Sequence, residues 1–338
     1  MATTSELPLV AVVLAIHRPD AARLARLLAS IRAQQDVAVR IFATVDGPAG
    51  IDAGGLALLE SEDIALTLGA THRGVRETFM AGLAAALAWH PEREPRGFAF
   101  ADQDDVWHPA KLRTLLAALT SSGAGLVHCD ARVVTADGGV LAPSLHRLER
   151  RRPAATLRDC LVLNSVSGMT SLFTGQVARL ALRLGADSAT SFLHDHVTAI
   201  AAAAQGGTIF IDQPLVDYVQ HESNVMGARP RETPGRGLAI LQDAGAYRAQ
   251  SLAAFTTRRD MVLALRREGF ASARLERLFL ADTGATAARL AWDYLGSAAA
   301  YSWHGQAQRA FMCMRLLDGA LMFRRQTARA AGSAPVSG

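Results

Sequence analysis

Three aspartates fall within four positions at Asp102-Gln103-Asp104-Asp105, and Trp107, Pro109 and Lys111 follow in close order. Carboxylates packed this tightly repel one another, and a chain that keeps them together offers the cluster a cation. Asp102 and Asp104 are two apart, so in an extended segment they point the same way. One or two carboxylates together with substrate phosphates are how Mg2+ or Mn2+ is commonly held. The plainer alternative is a solvated acidic turn that caps the next helix. The apolar stretch Gly97–Ala101 running straight into Asp102 weighs toward the cation, because it sets the acids at the end of a buried strand. A second pair, His194-Asp195, stands before the apolar run Val197–Ala204, where an aspartate by itself makes a good helix cap.

The flanking sequence supplies elements to position these groups. Val10–Ile16 reads as a buried strand, and Asp20 caps a helix in which Leu24, Leu27, Leu28 and Ile31 share one face. Val37–Val45 alternates as a strand does and ends at the turn Asp46-Gly47-Pro48. Ile64–Leu68 is a short strand, Gly74–Trp89 an Ala-rich helix, and Pro109–Leu119 a helix with proline in its first turn. Gly125–Asp130 is strand-like, and Ala136-Asp137-Gly138-Gly139 marks a hairpin. Strands and helices alternating at this spacing predict a mainly parallel sheet with helices on both faces, with ligands at the carboxyl ends of the strands.

Composition bounds the rest. The 338 residues are half apolar and one-fifth charged, which excludes a disordered or collagen-like chain. Cys129, Cys160 and Cys313 form no CxxC pair, so neither a zinc ribbon nor a disulfide framework is expected. Leu7–Ile16 is too short to cross a bilayer and has no basic flank, so no signal peptide and no transmembrane helix are expected. The net charge of +4 is unevenly spread: residues 229–338 carry 16 Arg against 8 acids, and residues 1–228 carry a net −4. All basic residues but one are Arg, and the single lysine is Lys111. Ala228–Gly237 reads as a linker, and the chain beyond it is helical almost throughout. Two domains are therefore expected, 1–228 and 229–338. The basic helices, Gln306–Arg325 among them, either rest on an anionic membrane surface or pack on the first domain or a second subunit. No nucleic-acid recognition motif appears.

The stretch from Phe98 through Asp102-Gln103-Asp104-Asp105-Val106-Trp107 to Lys111 resembles the metal-binding motif of the family 2 glycosyltransferases, which have the GT-A fold. Other stretches resemble that family in order: Ser30-Ile31-Arg32-Ala33-Gln34, Gly168-Met169-Thr170 with Phe173, His194-Asp195, and Tyr218-Val219-Gln220-His221 through Gly227. The similarity spans roughly residues 8–227 and is nearest the bacterial rhamnosyltransferase-like branch. It implies an inverting transfer from a dTDP- or UDP-linked sugar to a saccharide acceptor, lipid-linked, in surface polysaccharide synthesis. The setting would be cytoplasmic, at the inner face of the membrane. Asp102, Asp104 or both would hold Mg2+ or Mn2+ or the donor ribose, with Asp105 supporting the same metal cluster and His221 completing the site, touching the diphosphate or lying in a polar loop. Asp195 would be the general base, and His194 would orient it or line the pocket. His17, Asp46, Arg73 and Lys111 would lie along the donor, although the family's usual residues after the first two strands are replaced at Ala15-Ile16-His17 and Val45-Asp46. A non-catalytic nucleotide-sugar-binding module and a nucleotidyltransferase are the rivals. The first has no need of a base, and the second wants a Gly-rich loop where His17-Arg18-Pro19-Asp20 stands.

Overall fold

The computed structural model describes residues 7–60, 64–89, 94–153, 156–186, 192–220, 244–280, 285–303 and 306–332. Its described residues form two compact units. The first is an α/β fold, a mostly parallel sheet flanked by helices, and the second is helical, which is the fold class expected.

β1 (Leu9–Ile16) is apolar at nearly every position and lies at the centre, with Val10–Leu14 enclosed on both faces. It pairs in parallel with β2 (Ala38–Val45) on one side and with β4 (Gly97–Asp102) on the other, while β3 (Ala65–Leu68) extends the β2 side. The chain thus runs outward from β1 to β3 and then returns past β1 to β4. That reversal puts a switch in strand order at the carboxyl ends of β1 and β4, the kind of place where open α/β sheets take ligands.

Beyond β4 the sheet becomes mixed, in the order β4, β8 (Ser171–Phe173), β6 (Leu126–Val134), β9 (Thr208–Val219), β5 (Val106–Trp107). β8 is antiparallel to both β4 and β6, β9 is parallel to β6, and β5 pairs antiparallel with β9 through Val106↔Asp217 and Trp107↔Val216. The expected hairpin forms between β6 and β7 (Val140–Ala142).

α1 (Ala21–Arg32) begins where expected, with Asp20 accepting the Arg23 N–H at 2.9 Å. Its far end does unexpected work. Ser30 Oγ accepts the Trp107 N–H at 3.0 Å. Gln34 Oε1 accepts the Leu112 N–H at 2.8 Å, and Gln34 Nε2 donates to the His108 carbonyl at 2.8 Å. The two side chains clamp the chain between the acidic turn and α4 (Lys111–Ser122), a helix with no side-chain cap of its own.

The second unit holds α9 (Ala244–Arg267), α10 (Ala273–Phe279), α11 (Ala285–Trp303) and α12 (Ala307–Gly332). Phe255, Phe279, Tyr294 and Leu316 are buried in it. A Cβ at Gly319 would lie 2.2 Å from the Ser251 carbonyl, so glycine is what lets α12 approach α9. Among the described residues no helix is long and apolar enough to cross a membrane. The expected linker lies outside the described residues.

Candidate functional site

β4 delivers Asp102 to that switch point as its last residue, and the chain turns immediately through Gln103–Asp105. Asp102 and Asp104 are half-buried, and Asp105 is fully enclosed. Asp105 Oδ1 takes the Val219 N–H at 3.3 Å, whereas its buried Oδ2 has no partner. Burial pushes the Asp102 carboxyl up to about 7, helped by repulsion from Asp104 and Asp195. Burial raises Asp105 well above the carboxylate range too, with Asp102 and Asp104 adding to it. Full ionisation of the turn is therefore not compensated by the protein, and its buried acids hold protons that a cation would displace.

Lys111 does not lie along an open pocket, as a donor contact would require. It is fully enclosed at the start of α4. Its ammonium donates to the Met169 carbonyl at 2.6 Å and sits 3.0 Å from the centre of the Trp107 ring. Burial lowers it to about 7, against the pull of Cys129, Asp105 and Asp102. Lys111 is a counter-charge beneath the acidic turn.

Asp195 enters the same electrostatic neighbourhood from α8 (His194–Ala204), close enough to repel Asp102. The helix starts two residues earlier than a cap at Asp195 requires: Leu193 occupies the cap, and Asp195 accepts the His196 N–H at 2.6 Å from within the first turn. Burial raises Asp195 to about 6, while that N–H and Arg151 pull the other way. Arg151 was not anticipated from the sequence. It donates to Glu149 at 2.6 Å and to Ser167 Oγ at 2.6 Å.

His194 is a wall, not a bonding partner. Its ring stacks on Phe79 at 3.8 Å and meets the edge of Phe100 at 4.8 Å, and neither ring nitrogen has a hydrogen-bond partner. Burial lowers it to about 3, so the imidazole is neutral. A Cβ at Gly168 would lie 2.6 Å from His194 Nε2, which explains a glycine in that short 3-10 turn.

His17, Asp46 and Arg73 gather at the ends of β1, β2 and the loop after β3. Gln103 ties the acidic turn to β1, its Oε1 accepting the His17 N–H at 2.8 Å and its Nε2 donating to the His17 carbonyl at 2.9 Å. Asp46 is buried, and its oxygens take the N–H groups of Arg73 at 2.6 Å and Gly74 at 3.0 Å. Burial works against its charge, but those bonds, with His72 and His17 nearby, leave Asp46 below its usual value. His72 was missed from the sequence, where an exposed loop histidine gives no signal beyond its place beside Arg73. Among the described residues, one group of three brings metal-ligating atoms within 4.8 Å of one another, and it is His17, Asp46 and His72. The acids of the turn are not so convergent, and His221 lies outside the described residues.

No protein-family model matches the chain, and no curated protein matches it. Solved structures do resemble it. One is S. aureus TarS 1-349, at 12% identity and a TM-score of 0.46, covering 94% of this chain and 91% of that one. The same fragment in complex with UDP-GlcNAc aligns at 13% identity and 0.46, covering 94% and 92%. S. aureus TarS aligns at 12% and 0.48, covering 91% of this chain and 54% of its own. A likeness at this level assigns no activity.

Proposed function

We propose that the chain is an inverting glycosyltransferase of the GT-A type. It moves a hexosyl group, rhamnosyl within that class, from a dTDP- or UDP-linked donor to a saccharide acceptor that is lipid-linked. The observation that carries the reading is the meeting of two parts distant in sequence: an undercompensated acidic turn at the end of β4 and Asp195 at the start of α8. A cation site alone suits a binding module. A carboxylate raised to about 6 beside it suits a base.

In this reading Asp195 accepts the proton of the acceptor hydroxyl. That oxygen attacks the anomeric carbon, and the bond from this carbon to the diphosphate oxygen breaks with its electron pair leaving on the diphosphate. A base pKa near 6 keeps Asp195 ionised at neutral pH yet more basic than an ordinary carboxylate. The orphaned Asp105 Oδ2 and the raised Asp102 fit a divalent ion, Mg2+ or Mn2+, at Asp102 and Asp105 with Asp104 beside them. When bound, such an ion neutralises charge on the departing diphosphate. The Lys111 ammonium beneath the turn limits its repulsion in the ion's absence.

A peripheral position on an anionic membrane belongs to the same proposal. Its support is the net +8 of residues 229–338 together with Trp292 and Trp303, exposed on α11 and eleven positions apart, hence on one helical face.

The test is Asp195→Asn, assayed for donor affinity and turnover over a panel of UDP- and dTDP-sugars with Mn2+. Donor affinity should hold while turnover falls roughly 10²–10⁴-fold. Turnover within about tenfold of the parent would remove Asp195 as the base.

A further inference from the structure

The geometry points to a second metal site: we propose that His17, Asp46 and His72 bind a zinc-class divalent ion. Their ligand atoms lie within 4.8 Å of one another. His72 Nδ1 is 2.9 Å from Asp46 Oδ2, and the His17 and His72 rings are 4.9 Å apart at their centres. Two imidazoles and a carboxylate are the donors that zinc favours, and a three-ligand site leaves a fourth position open. The acidic turn offers oxygen alone, which suits the harder Mg2+ or Mn2+.

Three features make this a built site. The Asp46 carboxylate is buried and oriented by the Arg73 and Gly74 N–H groups, as outer-sphere bonds orient metal ligands. The His17 backbone is fixed on both sides by the Gln103 amide. The His72 segment is brought against the Asp46 turn by Gly47, at φ 80°, where a Cβ would lie 2.8 Å from the His72 backbone nitrogen. Both histidines are exposed, with the His72 side chain 67% accessible, so an ion enters from solvent without any opening of the fold. The rival reading is a plain hydrogen bond between His72 and Asp46 with His17 alongside.

The site shares His17 and Asp46 with the residues the family resemblance sets along the donor, so the experiment reads metal binding with no donor present and keeps the two readings apart. Untagged full-length protein, stripped with a chelator, is titrated calorimetrically with ZnCl2 and separately with MnCl2. One equivalent of zinc should bind to the parent. In His17→Ala and His72→Ala, zinc affinity should fall by more than the roughly 10–100-fold that loss of an outer-sphere partner costs, while the manganese response stays that of the parent. Substitution with Co2+ should give the absorption of a tetrahedral nitrogen–oxygen site, lost in the same variants. No zinc binding to the parent at sub-millimolar concentration, or parent-like binding in both variants, overturns the proposal. A missing manganese response would bear on the acidic turn alone.

Discussion

Replacing Gln34 with methionine tests how the acidic turn is held in place. Gln34 is buried after α1, and its amide joins the Leu112 N–H to the His108 carbonyl. The Leu112 N–H belongs to the first turn of α4, where amides have no partner inside the helix. Methionine fills nearly the same space, so packing changes little while these two bonds, and a third from Nε2 to the Ser30 carbonyl at 3.2 Å, vanish. Each buried group left without a partner costs about 1–3 kcal/mol, giving about 2–6 kcal/mol for the Leu112 N–H and His108 carbonyl together. At 1.4 kcal/mol per tenfold, that is roughly a 30- to 20,000-fold change in an opening equilibrium. Native-state hydrogen exchange reads it at one atom: protection of the Leu112 amide should drop by that factor while the β1 amides stay protected. Manganese affinity should weaken with it, because the clamp spans the segment directly after Asp105. Leu112 protection within threefold of the parent, with manganese affinity unchanged, would refute the idea that α1 positions the turn.

Other outcomes follow from the same geometry. With Asp195 as the proposed base, needed in its ionised form and raised to about 6, kcat/KM should fall as pH drops through about 6, and Asp195→Asn should abolish that limb. His128 and His146 are held neutral by burial, lowered to about 3 and about 4, so the unfolded chain binds more protons than the native one between those values and 6.5. Their contribution to stability against urea should therefore be lost as pH drops below about 6.5, opposed by the raised Asp102, Asp105 and Asp195, so His128→Leu should lose less stability on acidification than the parent. Gly168→Ala forces a Cβ into the space of the His194 ring, and crowding of a packed core costs about 1–3 kcal/mol. Thermal unfolding should show the loss, and paired His194→Ala should recover part of it.

Much of the frame was legible in the sequence because its causes are local. The unbroken apolar run of β1 declares a strand buried on both faces. Asp20 caps α1 through a residue three positions away, and the hairpin after β6 carries its own turn residues. The acidic turn at the end of β4 follows from an apolar strand meeting three aspartates. The mixed half of the sheet was not legible: β8 is three residues long, and β5 is a strand only because β9 offers it an antiparallel edge. The start of α8 was misjudged by two residues because Leu193, with no capping side chain, gives no signal.

The amino-acid order alone determined which groups exist and which segments they end: carboxylates after β4, an aspartate at the head of α8, a basic helical region beyond residue 229. Those follow from period, composition and neighbours along the chain. Only the tertiary structure decided what each group faces. It enclosed Lys111 under the turn, packed His194 between Phe79 and Phe100, and gave Gln34 a helix to cap. It also brought His72 to Asp46 and His17. The physical reason is that burial and Coulomb interaction depend on distance in space, and in a sheet whose chain doubles back past β1 that distance is set by strand order, not by sequence separation.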